Sequence, residues 1–170
     1  MSLIVRNAQR LVPLRRALLR HHLEAARSFL NVQNFDLGVI CVNNKRIQQI
    51  NRLYREQDSA TDVLSFPFHE VPHPGVVPIP QFRDEYNLGD IYLGIEFIYQ
   101  QCHENQEDYS NILTVTAIHG LCHLLGYKHN STEKCKQMYE KENDILTAIN
   151  RLTGTNLKPL TTKQLESQPH

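Results

Sequence analysis

Thr116 to His129 reads T-A-I-H-G-L-C-H-L-L-G-Y-K-H, and His119, His123 and His129 stand in it as H-x-x-x-H-x-x-x-x-x-H. The apolar residues Ile112, Leu113, Val115, Ile118, Leu121, Leu124 and Leu125 predict a helix from Asn111 to Leu125. On that helix His119 and His123 lie one turn apart and project from one face. Two imidazoles so placed can reach one ion about 2.0–2.1 Å from each nitrogen. Gly126 then ends the helix, because glycine enters the left-handed C-cap conformation without a Cβ penalty. The turned chain brings His129 back from another direction. Three neutral imidazoles without a fourth protein ligand leave a position open for water, which describes a catalytic zinc site better than a structural one.

What this stretch lacks narrows the chemistry. Zinc proteases of the H-E-x-x-H-x-x-G-x-x-H type carry a glutamate after the first histidine as general base. Here that position is Gly120, which has no side chain to take a proton. Cys122 lies between the first two histidines in sequence but points about 100° away from its neighbours on a helix, so it is not expected to be a ligand. His69, His73 and His103 read as loop or surface histidines.

The chain has 170 residues, enough for one domain with a sizeable core, and a formal net charge of zero. That balance argues against a general nucleic-acid coat. The charge is nonetheless segregated: Met1 to Arg55 holds ten Lys+Arg against two Asp+Glu, and the remainder carries the opposite excess. A basic RNA-facing side and a surface that mixes in space fit this equally well. Cys41, Cys102, Cys122 and Cys135 form no C-x-x-C pair and sit in apolar segments, so they read as reduced, buried thiols of an intracellular protein. No apolar run approaches the ~18 residues of a membrane span. The first 23 residues contain five arginines and no acid, the composition of a mitochondrial presequence. They also read as a folded strand, Leu3 to Asn7, followed by an amphipathic helix, Leu14 to Leu30. Localisation is therefore intracellular, with the mitochondrion favoured over cytoplasm or nucleus.

Further strands are expected at Phe35–Val42, Val63–Phe66 and Leu88–Leu93, with Asn43-Asn44 as a turn. Helices are expected at Lys45–Tyr54, Ile95–His103, Ser110–Leu125 and Thr132–Arg151, the last capped by Ser131 or Thr132. The segment His69–Tyr86, with four prolines, is expected to be a loop. These elements imply an α+β domain over residues 1–153: a small mixed sheet of about four strands packed with helices, its metal site on a central helix. Residues 154–170 read as a polar, poorly ordered tail.

H-G-L-C-H-L-L-G-Y-K-H resembles the metal motif of the YbeY family of single-strand-specific metallo-endoribonucleases in ribosomal RNA maturation. The similarity continues through I-N-R-L-Y-R (Ile50 to Arg55), T-D-V-L-S-F-P-F (Thr61 to Phe68) and L-G-D-I (Leu88 to Ile91), and covers roughly Phe35 to Leu152. It implies one zinc ion on His119, His123 and His129, with Arg55 at the active site. By itself Arg55 reads first as a surface arginine meeting the dipole at a helix end; as a permanent, forked cation it also suits a phosphate. Asp62, Ser65 and Asp90 are candidates for orienting a ligand histidine, or for capping turns. Tyr54, Phe66 and Phe68 suit core packing and base stacking alike. Lys128 departs from the acidic residue many bacterial members carry before the third histidine. The resemblance implies single-stranded RNA, ribosomal RNA above all, as substrate and a small-ribosomal-subunit protein as a partner. Two other functions compete: a non-catalytic, zinc-stabilised RNA-binding assembly factor, and a metalloprotease-like hydrolase.

Overall fold

The computed structural model describes residues 2–161. Strand β1 (Leu3–Asn7) is followed by α1 (Arg16–Phe29), β2 (Asp36–Val42), α2 (Asn44–Arg55) and β3 (Val63–Pro67). After a long loop come β4 (Asn87–Gly94), α3 (Ile95–Asn105), α4 (Tyr109–Leu124) and α5 (Thr132–Thr153). The four strands form one mixed sheet in the order β1-β2-β4-β3. β1, β2 and β4 run parallel, and β3 closes one edge antiparallel to β4. This is the α+β architecture expected from the residues.

Strand alternation divides the core between the two sheet faces. Ile91 and Leu93 of β4 join Val39 and Cys41 of β2 in the main core, with α1, α4 and α5. On the other face, Leu64, Val42, Ile47 and Ile50 form a smaller cluster under α2, against which Ile40, Phe66 and Tyr92 pack. The helix α4 packs against β3, β4, α1, α3 and α5. Its buried residues lie on all sides, from Leu113 to Leu124, so its sequence is apolar all round rather than striped. Asp108 caps it, its carboxylate accepting from the Asn111 N–H at 3.0 Å. The four cysteines are buried thiols.

Two local expectations are corrected. Asn43 is not half of a turn; its side chain accepts from the Arg46 N–H at 2.9 Å and starts α2 directly after β2. The loop expected at His69–Tyr86 is present, with a 3-10 turn at Arg83–Glu85 within it. The segment from residue 154 is not loose over its first half: Leu157 is 4% exposed within the main core and Thr161 is buried. A leucine that can reach an open part of the core outweighs the polar composition around it. The remainder of that tail, 162–170, lies outside the described residues.

The arginine-rich start of the chain supplies β1 and the first turns of α1, so it is part of the folded domain. Among the described residues no helix is long and apolar enough to cross a membrane.

Candidate metal centre

Helix α4 places His119 and His123 one turn apart near its C-terminus. Leu125 caps the helix, and Gly126 follows with φ +94°. A side chain there would be strained by this dihedral, and its Cβ would come within 2.9 Å of the Val71 Cβ. The Tyr127 N–H returns to the Cys122 carbonyl at 3.1 Å, which folds Tyr127–His129 back over the helix end. The result is convergence: one ring nitrogen from each of His119, His123 and His129 lies within 4.8 Å of the others. Ring centroids are 4.7 Å apart for His119–His123, 5.0 Å for His123–His129 and 5.5 Å for His119–His129.

The polar partners of the rings turn this cluster into a donor set. His123 Nδ1 lies 2.9 Å from the Tyr127 carbonyl. A carbonyl only accepts, so Nδ1 carries the hydrogen and Nε2 keeps its lone pair. His119 Nδ1 faces a Glu142 carboxylate oxygen at 3.4 Å, which leaves its Nε2 free in the same way. The two Nε2 atoms sit 3.1 Å apart. Two lone pairs facing each other at that distance repel unless a cation lies between them. Burial holds the His123 imidazole down to about 3, with further lowering from His119. His129 is also lowered, by burial and then by His119. Neutral imidazoles are what a metal requires, and the residues present fit a metal ion.

The histidines line a cavity of about 480 Å³ with Arg55, Asp62, Ser65 and Lys128. The end of α2 delivers Arg55, whose charge contributes to lowering both His123 and His129. A second cavity, about 520 Å³, shares Pro67, His123 and Lys128 with the first and adds His69, Lys134 and the wall from Val71 to Pro74. Cations of both sequence halves meet here: Arg55 from the basic first third, and Lys128 and Lys134 from the acidic remainder.

The sequence-predicted supporting residues divide. Ser65 donates its hydroxyl to the Gly120 carbonyl at 3.0 Å and so ties β3 to α4 rather than to an imidazole. Asp62 lines the histidine cavity, and its carboxylate accepts from the Thr61 hydroxyl at 3.3 Å. Asp90 does not belong here. Its neighbour Ile91 faces α4 at Gly120, so strand alternation sends Asp90 to the opposite sheet face, against Gly38. Tyr54 and Phe68 are 70% and 52% exposed, whereas Phe66 packs edge-on against Tyr54 and Tyr92. Cys122 is buried, with its thiol raised well above the usual range, and takes no part.

Glu142 is the residue that sequence reasoning missed. It sits in the charged run E-K-E-N-D (Glu140 to Asp144), which reads as a solvated helix face. Its signal is positional: Cys135, Met138, Glu142, Ile145, Leu146 and Ile149 form the buried stripe of α5. A glutamate in the middle of an apolar stripe needs partners, and His119 is one of them, with the Leu160 N–H and the Thr161 hydroxyl.

Gly120 has a structural reason to lack a side chain. A Cβ there would lie 2.9 Å from Ile91 Cγ2 and 3.1 Å from both Ser65 Oγ and Val63 Cγ2. The helix therefore packs too close to β3 and β4 for a glutamate in the protease position.

Comparison with known proteins places this geometry. A family model for Endoribonuclease YbeY matches residues 6–150. The human Endoribonuclease YbeY is 58% identical over 161 residues, which cover 95% of this chain and 96% of the human one. The Endoribonuclease YbeY of Bacillus cereus strain G9842 is 35% identical over 134 residues, 78% of this chain and 85% of its own. The solution structure of TM1509 from Thermotoga maritima has a TM-score of 0.60 and 22% identity, covering 98% of this chain and 97% of that one, a likeness of fold. With the match running from β1 into α5 and through all three histidines, the chain belongs to the Endoribonuclease YbeY family.

Proposed function

We propose that this protein is a zinc-dependent endonuclease of single-stranded RNA, acting in ribosomal RNA processing and ribosome maturation. The observation that carries the reading is the convergence of three imidazole nitrogens on the wall of a cavity that also presents Arg55. His119, His123 and His129 would hold the ion. Once bound, zinc supplies Lewis acidity towards a phosphoryl oxygen and a water nucleophile at neutral pH.

The chain's own residues supply the rest. Arg55 presents a permanent forked cation to the phosphate and stabilises charge that builds on its nonbridging oxygens. Lys128, shared by both cavities, adds a second positive charge between them. Asp62 is the carboxylate in the lining of the histidine cavity and is available to accept a proton from the attacking group. Tyr127 keeps His123 in the tautomer that offers Nε2. The exposed rings of Tyr54 and Phe68 offer π-faces to unpaired bases, which a duplex does not present.

The assembly-factor reading needs a closed metal site, and among the described residues the metal-capable group has three members. The peptidase reading needs a glutamate where the packing of Gly120 leaves no room. A small-ribosomal-subunit protein as partner and a mitochondrial address belong to the same proposal. The arginine-rich, acid-free first 23 residues support that address, and imaging of a full-length fluorescent fusion checks it.

The test is cleavage of a labelled RNA offered single-stranded and as a duplex. Wild type is expected to cut the single strand alone. Arg55→Glu is expected to cut it on the order of 100-fold more slowly while keeping its metal, as for loss of one charge-stabilising group. Equal cutting by wild type and Arg55→Glu would remove Arg55 from the site. Equal cutting of both RNA forms would remove the single-strand preference.

A further inference from the structure

We propose that Glu142 is a positioning residue for His119, and that the segment Leu157–Thr161 locks it in place, so that the metal centre is complete only when this segment is docked. The inference rests on the reading of the three histidines as metal ligands.

Glu142 is fully buried on α5. Burying a carboxylate is costly unless its oxygens are satisfied. One oxygen, Oε2, accepts from the Thr161 hydroxyl at 2.7 Å. The other, Oε1, accepts from the Leu160 N–H at 3.2 Å and faces His119 Nδ1 at 3.4 Å. Two donors therefore come from the segment after α5, and the third is the imidazole. Oε1 already accepts from a backbone N–H, and an oxygen in that role meets Nδ1 as an acceptor, which puts the hydrogen on Nδ1 and leaves Nε2 to face His123.

The returning segment is itself pinned. The Asn150 side-chain oxygen, Oδ1, accepts from the Leu157 N–H at 2.9 Å and the Thr155 hydroxyl at 2.8 Å. The Asn150 amide donates to the Leu157 carbonyl at 3.2 Å. Leu157 fills the core, and Leu160 forms part of the wall of the histidine cavity. A chain of contacts thus runs from Asn150 through Leu157 and Thr161 to Glu142, and from there to His119. Without the segment, Glu142 would lose two of its three donors and the fixed position from which it orients the ring.

The experiment measures metal affinity of the full chain by competition with a chromophoric chelator. The visible spectrum of the cobalt-substituted protein and the melting of the metal-free form are recorded alongside. Glu142→Gln is expected to weaken zinc binding about 10- to 100-fold, the usual effect of losing an outer partner of a ligand histidine. Thr161→Val, which removes one hydroxyl at nearly constant volume, is expected to weaken it about threefold to tenfold, with an altered cobalt spectrum. A purely structural role would lower the melting temperature of the metal-free form and leave affinity and spectrum unchanged, and that result overturns the proposal. If Glu142→Gln fails to fold, Thr161→Val decides alone, an unchanged affinity counting against the latch. Wild type that binds no metal sinks both this inference and the reading beneath it. Wild type that binds, with affinities unchanged in folded variants, sinks the inference only.

Discussion

The His123 ring carries two of the site's defining properties in one side chain. Its Nδ1 is committed to the Tyr127 carbonyl, and its burial keeps it neutral down to about 3. His22, packed against Thr114 in the core, and His129 are lowered for the same first reason, burial. In the unfolded chain each imidazole takes a proton near pH 6.5. Below that pH the unfolded state therefore binds more protons than the native one, and the metal-free fold loses stability as pH falls towards the folded values. Urea unfolding in the presence of a chelator is expected to show a loss of about 1.4 kcal/mol between pH 7.5 and 5.5 from His123 alone, with His22 and His129 adding in the same direction. A flat profile would show that these rings are not held neutral. Arg55 and Glu142 mark how far single residues were legible. Arg55 carried a fork-shaped cation in a recognisable motif, whereas Glu142 was camouflaged among charges and betrayed only by its place on an apolar stripe.

Helix α4 is where packing and chemistry constrain each other. Gly120 lets the helix approach β3 and β4 closely enough for Ser65 to donate to its carbonyl. Gly120→Ala would press a methyl on Ile91, Val63 and Ser65 at once, and overpacking of this kind costs about 1–3 kcal/mol. Because His119 is the preceding residue, the displaced helix would also weaken metal binding. Thermal melting with and without zinc checks this: a larger loss of melting temperature in the metal-bound protein is expected, and an equal loss would show that the helix shift spares the site. The element boundaries could be read closely from sequence because their signals are local. Ser131 caps α5 as expected, and Gly126 stops the run after α4. The sheet face that receives Asp90 was not local information. It depends on which neighbour of Asp90 meets α4, and so on the order in which the strands pair.

At the scale of the molecule, the mixed sheet explains why residues far apart in sequence share one cavity. β3 and the residue before it carry Ser65 and Asp62, α2 brings Arg55, α4 and the turn after it bring the histidines, and the return from α5 brings Leu160. Composition showed a neutral chain with a basic first third, but the cations at the cavity come from both parts. No count along the sequence could have assembled them. The measurement that tests the central claim most directly is a zinc titration of metal-stripped protein, with cleavage of a labelled single-stranded ribosomal RNA fragment followed at each step. Cutting is expected to be absent after stripping, to rise with added zinc to a plateau at one ion per chain, and to stay absent in His123→Ala. Undiminished cutting by the stripped protein would contradict the account.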